Sequence, residues 1–161
     1  MQTARLSLAG ATIGYALVVE NRGTIAAEEV IIRGLITGAD ASQQAVLAGF
    51  LAREAGVPIH ALPMIAPGES HRLAGELRIA GGDIVPTQAG DRQLLVPLIG
   101  FDADYRWAGE GTGGAGRTAR AFVVGQEQDP PTDRLSPLRL DLGPRQFRNP
   151  GCRATALDLV R

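Results

Sequence analysis

Two runs of alternating apolar residues, joined by a short turn, constrain the fold of this chain more than any other feature of its sequence. The first run has an apolar side chain at every second position, at Ile13, Tyr15, Leu17 and Val19. This spacing is the period of a β-strand with one buried face. Asn21-Arg22-Gly23 follows, and Gly23 can adopt the positive φ that many turns require. The pattern predicts a strand, a turn and a second strand between Ile13 and Ile36.

The second strand and two further segments extend the β pattern. One face of the second strand carries Val30, Ile32, Gly34 and Ile36, and the other, only partly polar, carries Glu29, Ile31, Arg33 and Leu35. A short strand over residues 5–9 is predicted to pair at an edge. After the turn Pro67–Ser70, alternation at Leu73, Gly75, Leu77 and Ile79 predicts a half-buried strand. Residues 83–92 are rich in turn formers and are predicted to be irregular.

One segment has the period of a helix instead. Between residues 42 and 55, apolar residues recur at helical spacing, at Val46, Leu47, Phe50 and Leu51. Ser42 is the predicted N-cap, and Gly56 and Pro58 are expected to stop the helix. We therefore predict one short amphipathic helix inserted between strands.

The clearest predicted hairpin joins the segment 93–107 to the segment 117–125 through a glycine-rich loop over residues 108–116. A loop centred on Thr112 would pair Tyr105 with Ala119 and Asp104 with Arg120. That register puts large side chains opposite small ones, and a slip of one residue would expose the aromatic residues to water. The expected core has these inward residues: Ile13, Tyr15, Leu17, Val19, Val30 and Ile32, facing Leu73, Leu77, Phe101 and Tyr105.

The C-terminal part of the chain has a different composition. Residues 128–137 contain three prolines and several polar residues, which is typical of a linker. Residues 138–161 have two short alternating runs and too few apolar residues to fold alone. We predict a β-sandwich over residues 1–128, followed over residues 129–161 by a linker and an extension that packs on the sandwich.

Composition excludes several classes of protein. The net charge is −1, and all 16 basic residues are scattered arginines, so the basic stripe of a nucleic-acid-binding protein is missing. The single cysteine, Cys152, leaves no partner for an intramolecular disulfide. The first residues lack the apolar stretch of a signal peptide, and the longest apolar runs are far shorter than the ~20 residues that span a bilayer.

Two segments carry a resemblance to a known family. The segment from Tyr15 to Val30 has alternating apolar residues, then Asn-x-Gly, then small residues and a strand that opens with valine. Ile65-Ala-Pro-Gly-Glu-Ser70 follows about 45 residues later. Both resemble CARDB-type bacterial immunoglobulin-like modules. Tyr105-Arg106-Trp107 and Phe122-Val-Val-Gly125 resemble an uncharacterised group of alphaproteobacterial proteins that carry an apolar N-terminal anchor before such a domain.

This resemblance implies an all-β fold, an immunoglobulin-like antiparallel β-sandwich. The short inserted helix at about residues 42–55, predicted from its apolar spacing, and the segment after residue 128 depart from a minimal module of this family. The resemblance also implies a periplasmic domain held at a membrane by a segment outside this chain, and no enzymatic activity. The expected function is a non-catalytic interaction or structural module of an envelope-anchored bacterial protein. Another envelope protein is the expected partner, and no nucleic acid is expected to bind. The alternative is a carbohydrate- or calcium-binding β-sandwich module.

Several candidate sites have a simpler structural interpretation. The glycine-rich loop lacks the lysine and the following helix of a phosphate-binding loop. His60, in a proline-flanked loop, and His71 lack further zinc ligands nearby, and no metal or cofactor site is predicted. Asp102, Asp104 and Glu110 could bind calcium, but a salt-bridged, solvated face with Arg106 and Arg120 explains the two aspartates more simply.

The chain has two further kinds of candidate group, nucleophilic side chains and exposed aromatic residues. Cys152 is followed by Arg153, which could lower the thiol pKa, but an isolated, non-catalytic thiol is the simpler interpretation. No serine lies in a nucleophile motif. Phe101 and Tyr105 are predicted to be core residues. Trp107 is predicted near the surface over Arg117, and these two are the predicted ligand-binding residues.

Overall fold

The computed structural model describes residues 1–52, 56–109, 111–155 and 159–160, and it has the predicted all-β sandwich architecture with one short helix. The helix is α1 (Ala41–Leu51), and one turn of 3-10 helix spans Gly81–Asp83. The strands are β1 (Thr3–Ser7), β2 (Gly10–Glu20), β3 (Ala27–Gly38), β4 (Val57–Ile65), β5 (Ser70–Ala80), β6 (Thr87–Ala89), β7 (Arg92–Leu95), β8 (Pro97–Trp107), β9 (Gly114–Gln126), β10 (Leu138–Arg139), β11 (Arg145–Gln146), β12 (Pro150–Ala154) and β13 (Leu159–Val160).

These strands form two packed sheets and a small third one. The first sheet has the order β11-β1-β2-β5, and the second has the order β12-β9-β8-β3-β4, with β13 also paired to β9. The third sheet has the order β10-β7-β6. All of the pairings are antiparallel. The chain crosses from the first sheet to the second between β2 and β3, and it returns between β4 and β5.

The predicted strand–turn–strand segment and the strand after the second turn are confirmed. β2 pairs with β5 over its whole length, so that Ile13 lies opposite Leu77 and Leu17 opposite Leu73. The residues of the expected core all belong to two adjoining apolar clusters between the sheets. Full burial of one such side chain contributes about 1.5–3 kcal/mol, so this layer is the main source of stability.

The loop predicted around His60 is in fact a strand. β4 is the edge strand of the second sheet, where Pro58 and Pro63 can be accommodated because an edge strand leaves one side of its backbone unpaired. The Tyr15 hydroxyl lies 2.9 Å from His60 Nε2, so the two sheets are joined by a polar contact as well as by apolar packing. Burial raises the pKa of the Tyr15 hydroxyl.

The helix is shifted from its predicted start and lies outside the sandwich core. Asp40, not Ser42, caps it, because the Ser42 backbone N–H donates to Asp40 Oδ1 at 3.0 Å. Leu47, Phe50 and Leu51 pack on the outer face of the second sheet. Val46, predicted on the same apolar face, is 45% exposed. Residues 53–55 of the predicted helix lie outside the described residues.

The predicted hairpin exists, but its register was wrong. Tyr105 lies opposite Gly116, not Ala119, and Trp107 lies opposite Gly114. Both glycines belong to β9, so the loop is shorter than predicted. A Cβ atom would lie 2.5 Å from the Tyr105 ring at Gly116 and 2.3 Å from the Trp107 ring at Gly114. The two aromatic rings therefore pack on bare backbone, and this fit sets the register.

Two predictions about the periphery of the sheets were also wrong. The segment predicted as irregular contains β6, and the long strand predicted over residues 93–107 is divided into β7 and β8. β1 is not an edge strand, because β11 pairs with its free side. The C-terminal extension supplies strands to all three sheets, and Leu138 and Phe147 are buried within the main core.

The ion pair beside β10, the strand that pairs with β7, is expected to weaken at acidic pH. Asp141 accepts a hydrogen bond at 2.8 Å from Arg139 Nε, and this interaction lowers the pKa of the carboxyl group from 3.8 to about 2. Because the pKa is lowered in the folded protein, the ionised Asp141 carboxylate contributes fully to stability at pH values above its unfolded-state pKa. This contribution is lost as the pH falls from about 4 to 2. Thermal unfolding measured over this range should therefore show a smaller loss of stability in Asp141→Asn than in the parent chain. Equal pH profiles would contradict this prediction.

Candidate functional site

A cleft opens between the two sheets because the first sheet becomes narrower towards one end. β1 pairs with β2 from Gly10 to Gly14 only, so the stretch of β2 from Tyr15 to Glu20 has β5 on one side and no described strand on the other. β8 and β9 of the second sheet continue beneath this gap. The resulting cleft has a volume of about 790 Å³, within the range of small-molecule binding sites.

Aromatic side chains form the wall of the cleft on the second sheet. The chain has one tryptophan, two tyrosines and four phenylalanines. Four of these seven line the cleft: Phe101, Tyr105, Trp107 and Phe122. Phe101 is buried, whereas the other three are only half-buried. Its ring centroid lies 6.2 Å from that of Phe122, and the Tyr105 and Trp107 centroids are also 6.2 Å apart. These rings therefore form two pairs on one wall of the cleft, and neighbouring side chains do not fully cover them.

Aliphatic residues and a loop complete the cleft. Its most buried lining residues are Val30, Ile32 and Ile65, and Leu17 and Val19 of β2 form the opposite wall.

The loop between β2 and β3 overhangs this space. Asn21, in the predicted turn, holds it through hydrogen bonds from Nδ2 to the carbonyl oxygens of Ile25 and Ile65, at 2.8 and 2.9 Å. The Gly23 N–H also donates to Asn21 Oδ1 at 2.9 Å. The Asn-x-Gly sequence thus fixes the loop that covers one end of the cleft.

The cleft also has a small number of polar groups. Thr118 and Arg120 lie on the same face of β9 as Phe122, so their side chains join the aromatic wall. Arg22 and Glu20 form an ion pair of 2.7 Å at the base of the overhanging loop. A largely apolar surface that carries a guanidinium and a hydroxyl group is suited to an apolar group with an acidic or polar neighbour.

The two predicted ligand-binding residues do not come together. Trp107 lines the cleft and is half-buried, near the surface as predicted. Arg117, however, lies on the opposite face of the second sheet. The Arg117 side chain is buried beneath α1 and donates to Asp102 at 2.7 and 2.8 Å. It also donates to the backbone carbonyls of Leu51 and Phe50 at the helix C-terminus. The predicted contact of Arg117 with the Trp107 ring was therefore wrong, because it depended on the wrong register.

Hydrogen bonds to Asp102 and to the end of α1 hold the Arg117 guanidinium in its buried position. The hydrogen bonds to Asp102 raise the pKa of the Arg117 guanidinium above its usual value. Its contacts with the last carbonyls of α1 also satisfy acceptors that every helix leaves unpaired. Arg117 is thus a structural residue that joins the helix to the sheet.

The acidic residues proposed for calcium have arginine partners, although not the predicted ones. Asp102 is paired with Arg117, and Asp104 is paired with Arg33 at 2.5 Å. Arg120, the predicted partner of Asp104, lies opposite Phe101 instead. This face is covered by α1 near Asp102 and is not fully solvated. Glu110 lies outside the described residues, among which no group of three potential metal ligands occurs.

The histidines and the cysteine occupy separate positions. His60 in β4 contacts Tyr15, and His71 in β5 lies 3.0 Å from a Glu69 carboxylate oxygen. Cys152 is half-buried in β12. Its neighbour Arg153 donates to Glu127 at 2.7 and 2.8 Å, and this pairing lowers the pKa of the Glu127 carboxyl group.

Sequence reasoning missed the contribution of β9 to the cleft. The predicted register put Phe122 and Arg120 on the face away from Tyr105, whereas they share its face. The signal that could have found them is the matched spacing of two aromatic residues, Tyr105 and Trp107, with two glycines, Gly116 and Gly114. Pairing each ring with a glycine gives the observed register.

Comparison of the chain with protein-family models, with curated proteins and with solved structures finds no match. No helix in the described part of the chain is long and apolar enough to cross a bilayer.

Proposed function

We propose that this protein is a non-catalytic interaction module that binds its partner in the aromatic cleft. The observation that carries the proposal is the position of four of the seven aromatic side chains of the chain. They line one cleft, and three of them remain half-buried. Aromatic side chains that a core does not cover are the groups that contribute most to binding energy in protein interfaces.

The immunoglobulin-like part of the proposal is supported by the strand order. In a sandwich of that kind, the second and fifth strands pair in one sheet, and the third pairs with the later hairpin in the other. Here β2 pairs with β5, and β3 pairs with β8 of the β8–β9 hairpin. The segments that resemble CARDB-type modules correspond to β2 through the start of β3, and to the turn between β4 and β5.

The same resemblance supports a place in the bacterial envelope. We propose that the module lies on the periplasmic side, is held at the membrane by a segment outside this chain, and has another envelope protein as its partner. Cell fractionation of the full-length protein, followed by protease treatment of spheroplasts, tests this part. Recovery in the cytoplasmic fraction would contradict it.

Binding of a dye tests the cleft directly. The probe is anilinonaphthalene sulfonate, an apolar anion whose fluorescence increases in apolar sites. Because Trp107 is the only tryptophan, excitation of its indole should transfer energy to bound dye. We expect saturable binding, and Ala103→Phe should weaken it about tenfold by filling the space between the rings.

The matched control is Ala74→Phe on the outer, exposed face of β5, which should bind the dye as the parent does. Both variants should retain cooperative urea unfolding, because dye also binds partly unfolded proteins. Equal dye binding by Ala103→Phe and the parent would show that the cleft is not the site.

The second candidate function is carbohydrate binding. The observation in its favour is the tilted Tyr105–Trp107 pair, whose half-buried rings could stack on the apolar faces of sugars. Titration with cellohexaose and maltohexaose, monitored by Trp107 fluorescence, separates this candidate. Saturation by either sugar would favour it, and an unchanged spectrum would contradict it.

A further inference from the structure

We propose that the cleft accepts an extended polypeptide segment of the partner, which adds to the first sheet as a strand beside β2. This inference rests on the proposed function, because it concerns the same cleft and specifies what occupies it. The segment would run antiparallel to β2, in line with β1, and would place every second side chain between the two sheets.

The backbone of β2 is open on the required side. In an antiparallel ladder, successive residues direct their N–H and C=O groups alternately to the two neighbouring strands. The Asn21 N–H donates to the Glu69 carbonyl at 3.0 Å, on the β5 side. The Gly14 carbonyl accepts from the Gln2 N–H at 2.9 Å, on the β1 side. By this alternation, Ala16 and Val18 direct their backbone N–H and C=O groups to the β1 side of β2. Beyond Gly14, none of the described strands pairs with β2 on that side.

The open edge and the aromatic wall belong to one space. Val18 and Glu20 line the cleft, although strand alternation directs their side chains to the outer face of the first sheet. The Val18 side chain is 62% exposed there. It is therefore the backbone edge of β2 that borders the cleft, so a strand added to this edge would lie directly over the rings of β8 and β9.

The size and chemistry of the gap define the segment. The open stretch of β2, from Tyr15 to Glu20, matches a strand of about six residues, of which roughly three would point inward. Phe101, Phe122 and the aliphatic floor require apolar inward side chains. Arg120, on the same wall, favours an acidic side chain at one of these positions.

A polypeptide can contact the aromatic wall and also pair with the open backbone edge of β2, whereas a small molecule can contact only the wall. A small apolar ligand would contact the rings and leave the N–H and C=O groups of Ala16 and Val18 to water. A strand would contact the rings and also pair with these groups. Open strand edges are the surfaces through which β-sheets add a further chain.

Backbone methylation of a peptide provides a sharp test. The probe is a blocked hexapeptide of threonine, valine, threonine, valine, threonine and glutamate, which ends opposite Tyr15 and does not overlap Thr3, the partner of Gly14. In the proposed pairing, inward valines lie opposite Leu17 and Val19, and the second and third threonines exchange hydrogen bonds with Val18 and Ala16. N-methylation of these two threonines should therefore weaken binding at least tenfold, measured by calorimetry. N-methylation of the two valines should leave the affinity within about threefold, because their N–H groups point away from β2.

Two further changes test the protein side and the charge. Val18→Pro removes the N–H at the open edge but no donor of the β2–β5 ladder, and it should abolish hexapeptide binding. Its urea midpoint shows whether the variant is folded. If it is unfolded, the methylated peptides alone decide the outcome. Lysine in place of the glutamate should weaken binding about tenfold, because Arg120 lies on the wall that this side chain faces.

The possible outcomes separate this inference from the proposed function. Equal loss of affinity from both methylation patterns would overturn strand addition and leave the cleft as the site. Absence of hexapeptide binding at millimolar concentration, while the parent binds the dye, would do the same. Failure of dye and hexapeptide alike would overturn both proposals.

Discussion

Asp102→Ala is expected to lower the free energy of unfolding by about 3–5 kcal/mol, because it leaves the Arg117 guanidinium buried without a counter-ion. Asp102 and Arg117 are 2% and 7% exposed, and their side chains share two hydrogen bonds. Removing one partner from such a pair costs much more than the pair contributes, since the remaining charge stays away from water. The midpoint of urea denaturation, converted with the measured slope, gives this quantity.

Loss of Asp102 should also affect the helix. Arg117 donates to the Leu51 carbonyl at 2.6 Å, and its position for this contact is set by Asp102. We therefore expect amide hydrogen exchange in α1 to increase more than exchange in β2, which lies in the other sheet. Uniform acceleration in both elements would indicate global destabilisation only.

A more exposed pair provides the matched control. Glu127 and Arg153 form the same two-pronged contact, but their side chains are 27% and 36% exposed. Glu127→Ala should therefore cost much less stability than Asp102→Ala. The double variant Asp102→Leu with Arg117→Met should be considerably more stable than Asp102→Ala, because it leaves no buried charge. A similar loss in all three variants would show that burial of the charge is not the cause.

The parts of the fold that sequence could predict are those determined by neighbours along the chain. β2, β3 and β5 each bury one face of a long strand, so their alternating residues report directly on the core. β4 escaped prediction because Pro58 and Pro63 are typical of loops, and only its place at a sheet edge makes them acceptable. The helix was found from its apolar spacing, while its cap, Asp40, precedes that pattern.

The candidate site was much harder to predict, because it is produced by a missing neighbour. The cleft exists where β1 stops at Thr3 and no described strand replaces it beside Val18. No pattern within the sequence of β1 or of β2 reveals that gap. Arg117 and Arg120 are three residues apart in one strand, yet one supports the helix and the other faces the cleft. Their roles follow from the register, which depends on the fit of aromatic rings to glycines.

The same kind of fit supports the prediction that Gly100→Ala will cost about 1–3 kcal/mol, which is typical of overpacking. Gly100 in β8 lies beneath Phe50 of α1. A Cβ atom there would be 2.6 Å from Phe50 Cε1 and 3.2 Å from Leu47 Cδ1. Neither the strand nor the ring can move freely, since Phe50 is fully buried and β8 pairs on both sides. The added methyl group should therefore displace the helix.

A double-mutant cycle distinguishes this collision from a general effect of alanine in a strand. In a Phe50→Leu background the ring is absent, so Gly100→Ala should cost less than it does in the parent chain, and the difference measures the coupling. Gly82→Ala is the matched control, because nothing lies within 4 Å of the Cβ position at Gly82. That substitution should change stability by at most about 0.5–1 kcal/mol, in the stabilising direction, through the unfolded chain. Equal costs of Gly100→Ala in both backgrounds would show that the packing of α1 does not depend on a bare backbone at this position.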